Sequence, residues 1–116
     1  MKETKTLSEV CSVLEVSRRA VQGYESAGLV KAAGKNKYGY LLYDEEAQQR
    51  IKQIKLLQQL GFKVKEIKDI IDAPGEVVRA AVESQIEHLN GEICRKKEII
   101  GQAKELVEKL TKTSNL

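Results

Sequence analysis

Ser17, Arg18, Arg19, Gln22 and Tyr24 fall within one short stretch, and Lys35, Lys37, Tyr38 and Tyr40 within a second. These residue types suit binding rather than bond-breaking. An arginine fork matches the oxygens of a phosphate, and a glutamine amide can pair with the edge of adenine. A phenol can bury its ring and still hand its O–H to a phosphate. Residues 16–43 carry Arg18, Arg19, Lys31, Lys35 and Lys37 against Glu25 alone, so the excess positive charge is concentrated there. The whole chain is only +3, with 13 Lys/Arg against 10 Asp/Glu in residues 1–72 and 7 against 7 beyond. Such a cluster is a modest footprint for a polyanion. A solvated surface with a chance charge cluster is the competing explanation, as is hydrophobic anchoring for the tyrosines. Anchoring is the preferred reading for Tyr43.

Other chemistries find little support. No G-x-S-x-G, P-loop, HExxH or paired-carboxylate pattern occurs, and there is one histidine. No catalytic residue is expected, and the chain is not read as an enzyme. Cys11 and Cys94 are far apart with no CxxC spacing. Their number excludes a disulfide framework and fits a reducing compartment. His88 and Cys94 stand six apart, off the i, i+4 spacing of a helical metal pair, so no metal site and no cofactor are expected. No apolar run is long enough to span a bilayer and no secretory leader opens the chain, so the location expected is the cytoplasm, without a membrane partner.

The elements that must position these residues are mostly helical. With 116 residues there is room for one compact head of roughly 70 residues and an extension. Thr6-x-x-Glu9 is a capping box, followed by Leu7, Val10, Cys11 and Leu14 on one apolar face. Ser17 can cap a second helix with Ala20, Val21 and Tyr24 inward, closed by Gly28. Two short helices so joined predict a helix-turn-helix, with Arg18, Arg19 and Gln22 outward on the second. In residues 31–43, Gly34, Asn36 and Gly39 form turns, while Tyr38, Tyr40, Leu41, Leu42 and Tyr43 favour strand. A small β-ribbon wing with lysines at its tip is predicted. Asp44 caps a third helix with Ala47, Ile51, Ile54, Leu57 and Leu60 inward, ended by Gly61. A fourth, over residues 63–72, turns Val64, Ile67, Ile70 and Ile71 inward. Ala73-Pro74-Gly75 is the strongest punctuation in the chain and sets the boundary between a head, 1–73, and a helix, 76–112, with a tail, 113–116.

The second part has a heptad pattern. Ile86, Ile93, Ile100 and Val107 occupy a positions, and Val82, Leu89, Ala103 and Leu110 occupy d positions. Only Lys96 breaks the d series. Asn90-Gly91 competes as a hairpin turn. The phase runs through it unbroken, and Gly91 and Gly101 fall on outer positions. One helix of about 35 residues, roughly 50 Å long at about 1.5 Å per residue, is expected. Its apolar seam needs a partner, and a second copy of the chain supplies one. Ile99 and Leu106 widen the stripe toward the C-terminus, so that end is expected to pack on something more, the partner's head being one candidate.

These blocks resemble the MerR (mercury-resistance-regulator) family of bacterial transcription factors. "VSRRAVQGYESAGLV" follows the pattern VS-x-R-T-L-R-Y-Y-E-x-x-G-L-L. "YGYLLYDEEA" resembles the family's wing and following helix start. "IKLLQQLGFKVKEIKDII" resembles its I-x-x-L-R-x-L-G-F-S-L-x-E-I segment. The resemblance covers about residues 6–72 and implies a mainly α fold: a winged helix-turn-helix head of four helices and a small β-ribbon wing, then a long dimerisation helix in an antiparallel coiled coil. It implies a homodimer on a palindromic promoter site in double-stranded DNA, on the nucleoid in the bacterial cytoplasm, with RNA polymerase as a further partner. Ser17, Arg18, Arg19 and Tyr24 would lie on the DNA from the second helix, and Tyr40 from the wing.

Departures from the pattern qualify this. Gln22 stands for an arginine, Gly23 for a frequent aromatic, Leu41 for the wing arginine, and Gln58 for a frequent basic residue. Weaker binding or a shifted sequence preference is expected. After Leu110 only "TKTSNL" remains, so a truncated regulator without an effector domain is expected, although the dimer interface could itself enclose a ligand. Two other roles compete: an excisionase-like architectural protein that bends DNA, and a coiled-coil interaction protein with a weak DNA-binding head.

Overall fold

The structure, a computed structural model, describes residues 3–114. The chain divides into two compact units, Met1–Val78 and Arg79–Leu116. Their division falls a few residues past Ala73-Pro74-Gly75.

The first unit is built on helices whose ends are fixed by side chains. α1 (Leu7–Leu14) begins at the reciprocal capping box: the Thr6 hydroxyl accepts from the Glu9 amide at 3.3 Å, and Glu9 Oε1 accepts from the Thr6 amide at 2.9 Å. The backbone bond and then the Thr6 hydroxyl hold the Glu9 carboxyl below its ordinary pKa. α1 stops at Glu15, a non-glycine residue at φ +52°. The orphan carbonyls there are met by Lys55 Nζ, which donates to Leu14 at 3.0 Å and Glu15 at 2.7 Å. α2 (Arg18–Ser26) is capped by Ser17, whose Oγ accepts from the Ala20 amide at 3.0 Å. It is closed at Gly28, whose φ of +78° an L side chain rarely adopts.

The sheet has three strands in the order β1-β3-β2, all antiparallel. β2 (Gly34–Lys35) and β3 (Leu41–Tyr43) form the expected wing, with Lys35 opposite Leu41 and Gly34 opposite Leu42. β1 (Lys5–Thr6), which no sequence signal announces, lies on the other edge of β3, with Lys5 opposite Tyr43. The buried Gln48 carboxamide secures this edge by donating to the carbonyls of Glu3 (3.1 Å) and Tyr43 (2.9 Å).

α3 (Glu45–Gln59) starts at Asp44, whose Oδ1 accepts from the Ala47 amide at 2.8 Å. α4 (Val64–Ile70) starts at Lys63, whose amide donates to Glu66 at 2.9 Å. Ile51, Ile54 and Leu57 of α3 are buried with Val10, Val21, Leu29, Tyr43 and Ile67 in one aliphatic core. Full burial of each such side chain contributes about 1.5–3 kcal/mol. Leu60 is only half-buried and Leu56 is exposed, so the α3 stripe is narrower at its C-terminal end than its heptad-like spacing suggests.

α5 runs as one helix over Gly75–Ser114, 40 residues, through Asn90-Gly91 without a break. Thr113 and Ser114, which the sequence places in a tail, continue the helix; 115–116 lie outside the described residues. Ile86, Ile93, Ile100, Val107 and Leu110 are 46–62% exposed in the single chain. Intrahelical Arg79–Glu83 and His88–Glu92 pairs, each at 2.9 Å, lie along it.

Arg50 on α3 ties together the segments that follow α2 and α4. Its Nε donates to the Leu29 carbonyl at 2.8 Å, and its two terminal nitrogens grip Asp72 at 2.6 and 2.8 Å. The arginine hydrogen bonds hold the Asp72 carboxyl below the ordinary carboxylate range, against a smaller opposing desolvation. A depressed native pKa contributes stability above the unfolded value, about 3.9 for Asp, and loses it as pH falls through the native value. Asp72→Asn should therefore lower stability at neutral pH and flatten the acid limb of the stability profile below about pH 4. Urea unfolding of both proteins across pH checks this; parallel acid limbs would contradict it.

Candidate nucleic-acid interface

The helix-turn-helix and the wing bring most of the expected residues to the surface. On α2, Val21 and Tyr24 point into the core, which leaves Arg18, Arg19, Gln22 and Gly23 exposed. Arg18 and Gln22 share one helical face at i, i+4, with Arg19 beside them. Gly23 leaves open space where a Cβ would stand, so this surface is bare at its middle.

The wing tip is held rigid by Asn36, a residue the sequence marks only as a turn former. Its Oδ1 accepts from the amides of Tyr38 (2.9 Å) and Tyr40 (3.0 Å), and its own amide donates to the Tyr40 carbonyl at 2.9 Å. Gly39, at φ +84°, completes the turn. Tyr38 and Tyr40 are 71% and 63% exposed, with ring centroids 6.5 Å apart. The Lys37 ammonium lies 5.2 Å from the Tyr38 ring centroid, and Lys35 is exposed on the strand below. Two phenols and two ammoniums thus share one small projecting loop.

Electrostatically, these cations are uncommitted. Among the described residues none of Arg18, Arg19, Lys31, Lys35 and Lys37 forms an ion pair, whereas Lys5, Arg50 and Arg79 do. The one carboxylate in the same segment, Glu25, is half-buried and accepts a short hydrogen bond from the Tyr43 hydroxyl. Burial first, then Glu25, push the Tyr43 hydroxyl above the ordinary tyrosine range, so it stays a donor. Tyr43, fully buried, is the anchor the sequence suggests.

Tyr24 requires a correction. Its ring is only 2% exposed, and its hydroxyl donates to Gln58 Oε1 at 2.5 Å. The helical period that turns Val21 inward also turns Tyr24 inward, so its hydroxyl is spent inside the head rather than offered outward. Burial raises its pKa. Gln58, read from sequence only as a missing base, is the acceptor.

Two contacts escape sequence reasoning. Arg18 Nη2 donates to Ser8 Oγ at 3.1 Å, across the turn between α1 and α2. Ser8 is otherwise unremarked inside the capping box, since only tertiary proximity reveals its partner. Lys55 at the end of α1 is the second. Elsewhere, Cys11 is half-buried, Cys94 is exposed, and His88 is engaged with Glu92. No group of three or more His, Cys, Asp or Glu that could hold a metal occurs among the described residues, and no helix there is long and apolar enough to cross a membrane.

Comparison with known families agrees with this geometry. Residues 5–74 match the model of the "MerR HTH family regulatory protein", and residues 48–106 that of "MerR, DNA binding". The chain belongs to the MerR family of helix-turn-helix regulatory proteins. Within the family it is similar to the HTH-type transcriptional activator mta of Bacillus subtilis (strain 168), 31% identical over 94 residues, which are 81% of this chain and 37% of that protein. The chain spans about a third of the length of the curated relatives it matches. A MerR-family transcriptional regulator from Bacillus cereus superposes with a TM-score of 0.75 at 29% identity, covering 92% of this chain and 82% of that one. HiNmlR, described as a MerR family regulator lacking the sensor domain and bound to promoter DNA, shares the fold with a TM-score of 0.69 at 22% identity, over 84% and 79% of the two chains.

The Tyr43–Glu25 bond gives this site a stability test. Tyr43→Phe removes the donor and leaves a half-buried carboxylate unsatisfied, at a cost of about 1–2 kcal/mol. Urea titration of the full chain should show the midpoint fall without a change of slope. An unshifted midpoint would mean that the bond contributes nothing.

Proposed function

We propose that this chain binds double-stranded DNA as a homodimer and regulates transcription from a palindromic promoter site. Residues 1–73 form the DNA-binding head and 76–112 the dimerisation helix. Ser17, Arg18, Arg19 and Gln22 lie on the duplex from α2, and Lys35, Lys37, Tyr38 and Tyr40 from the wing. The observation that carries the reading is the set of unpaired cations on α2 and the wing, with their one neighbouring carboxylate drawn toward Tyr43. A cation without an acidic protein partner gives up no ion pair when a phosphate replaces its water and counterions. Membership of a family of regulatory proteins gives that surface its context. RNA polymerase enters as a partner through the promoter.

The dimer rests on α5. Its a and d residues, with Ile86, Ile93, Ile100, Val107 and Leu110 exposed, form an apolar seam broken only at Lys96, and a second copy laid antiparallel covers it with the same seam. The protein is not an enzyme in this reading: it binds and releases DNA without chemistry.

Neutral residues at Gln22, Leu41 and Gln58 lower the number of phosphate contacts. Gln58 accepts from Tyr24, and Leu41 is half-buried on the wing. Binding should therefore have a shallow salt dependence, set by the few cations that remain.

Replacing Arg18 and Arg19 together by alanine should reduce the slope of log K against log salt by at least about one unit and leave the dimer intact. Anisotropy titrations over a salt series, with sedimentation in parallel, measure both; a variant that keeps the full slope, or one that dissociates, would sink this assignment. In the seam, Lys96→Leu completes the d series and should stabilise the dimer by on the order of 2 kcal/mol. A lower dimer melting temperature would place Lys96 outside the interface.

A further inference from the structure

The guanidinium of Arg18 is drawn toward α1 rather than left free on α2. Its Nη2 reaches the Ser8 hydroxyl at 3.1 Å. Both side chains line a cleft of about 620 Å³ that runs from the first turn of α1, at Thr6 and Leu7, to the wing at Tyr40. One wall therefore carries a cation and the other an exposed phenol. Ser8 is neutral and satisfies one of the five donors of the guanidinium, so the charge and the remaining donors stay available. Among the described residues Arg18 has no carboxylate partner. The acid nearest in sequence to Ser8, Glu9, is occupied with the Thr6 amide on its own helix.

We propose that Ser8 is a positioning residue for DNA binding. It holds Arg18 across the cleft, where the guanidinium grips one backbone phosphate between α1 and the wing, while Arg19 and Gln22 face the base edges. The proposal rests on the DNA-binding reading above. Its physical basis is preorganisation. An exposed arginine samples many rotamers, and ordering it on binding costs entropy. One tether at the far end of the side chain removes part of that cost in advance. The donors that Ser8 does not use remain free for the two-oxygen grip an arginine fork makes on a phosphate. Tyr40 lines the same cleft, and its exposed phenol can donate to the same phosphate. Because a phosphate is present at every step of the duplex, Arg18 so held contributes affinity without sequence preference.

A labelled mixed-sequence duplex at low salt is the probe. Ser8→Ala should weaken its binding about two- to tenfold, the fold-change of one ordinary hydrogen bond. Ser8→Thr, which keeps the hydroxyl, should restore it. In an Arg18→Ala background Ser8→Ala should have no further effect, because its only route is through Arg18. Selection from random fragments should give the same preferred sequence for the parent, Ser8→Ala and Arg18→Ala, and a different one for Arg19→Ala. An additive double variant, a Ser8→Ala protein that binds as well as the parent, or an altered base preference in either Ser8→Ala or Arg18→Ala would overturn the proposal. A parent that binds no duplex would overturn the DNA-binding reading with it, whereas a parent that binds while Ser8→Ala binds equally would leave that reading standing. Urea midpoints of the variants, expected to match the parent, separate a positioning effect from a loss of fold.

Discussion

The hydroxyl of Tyr43 and the carboxylate of Glu25 hold together the two elements that face the same way. Tyr43 is the last residue of β3, at the root of the wing, and Glu25 lies in the last turns of α2. Their hydrogen bond fixes the distance between helix and ribbon at the ends where both enter the core. It is made under cover, with the phenol ring fully buried, so each group would be costly without the other. It also takes the only carboxylate of residues 16–43 toward the interior. One bond therefore serves packing, geometry and charge together. If it is broken, the carboxylate is released beside the cations of α2 and the wing, which then keep only their shared packing against α1.

Charge in the head is accordingly sorted by location. Where cations are structural they have designated acceptors: Arg50 holds Asp72 and the Leu29 carbonyl, and Lys55 closes the end of α1. Where they lie on α2 and the wing they have no acidic partner among the described residues. Surface ion pairs contribute little to stability, so leaving those cations unpaired costs the fold almost nothing. It retains their capacity for an external anion. The net charge of +3 conceals this arrangement, because acids elsewhere in the chain offset cations that they do not touch.

The sequence makes legible whatever depends on neighbours along the chain. Thr6, Ser17 and Asp44 mark three helix starts because capping is local hydrogen bonding, and Gly28, Gly39 and Gly61 mark turns because their φ values are positive. The α3 core positions follow from period, as does the continuity of α5 through Gly91. What depends on partners distant in sequence was not legible. β1 is two residues long and exists only because β3 offers an edge and Gln48 holds the approach. The helical phase shared with Val21 places Tyr24 inward, and it is the role on DNA implied by the family resemblance that its burial overturns. Ser8 meeting Arg18 and Tyr24 meeting Gln58 span 10 and 34 positions, and no spacing rule addresses such pairs.

The seam of α5 shows how far a local pattern can specify something beyond the single chain. A helix of 40 residues that exposes Ile86, Ile93, Ile100 and Val107 has no use for those side chains in water. Helix propensity does not require them, since lysine or glutamate would serve as well at any of the four positions. Their period of seven does more than make the helix amphipathic: it keeps the apolar stripe along a gently supercoiled line, the line a second helix of the same kind would follow. Gly91 and Gly101 fit the same logic. Each weakens the helix by about 1 kcal/mol relative to alanine, but on outer positions neither opens a gap in the seam. Lys96 is the one residue that conflicts with it. A charge in an apolar register costs stability, yet in a self-complementary seam it also penalises every alignment that buries it. The pattern thus supports the proposed second copy, and its single flaw would favour one alignment of that copy over the others.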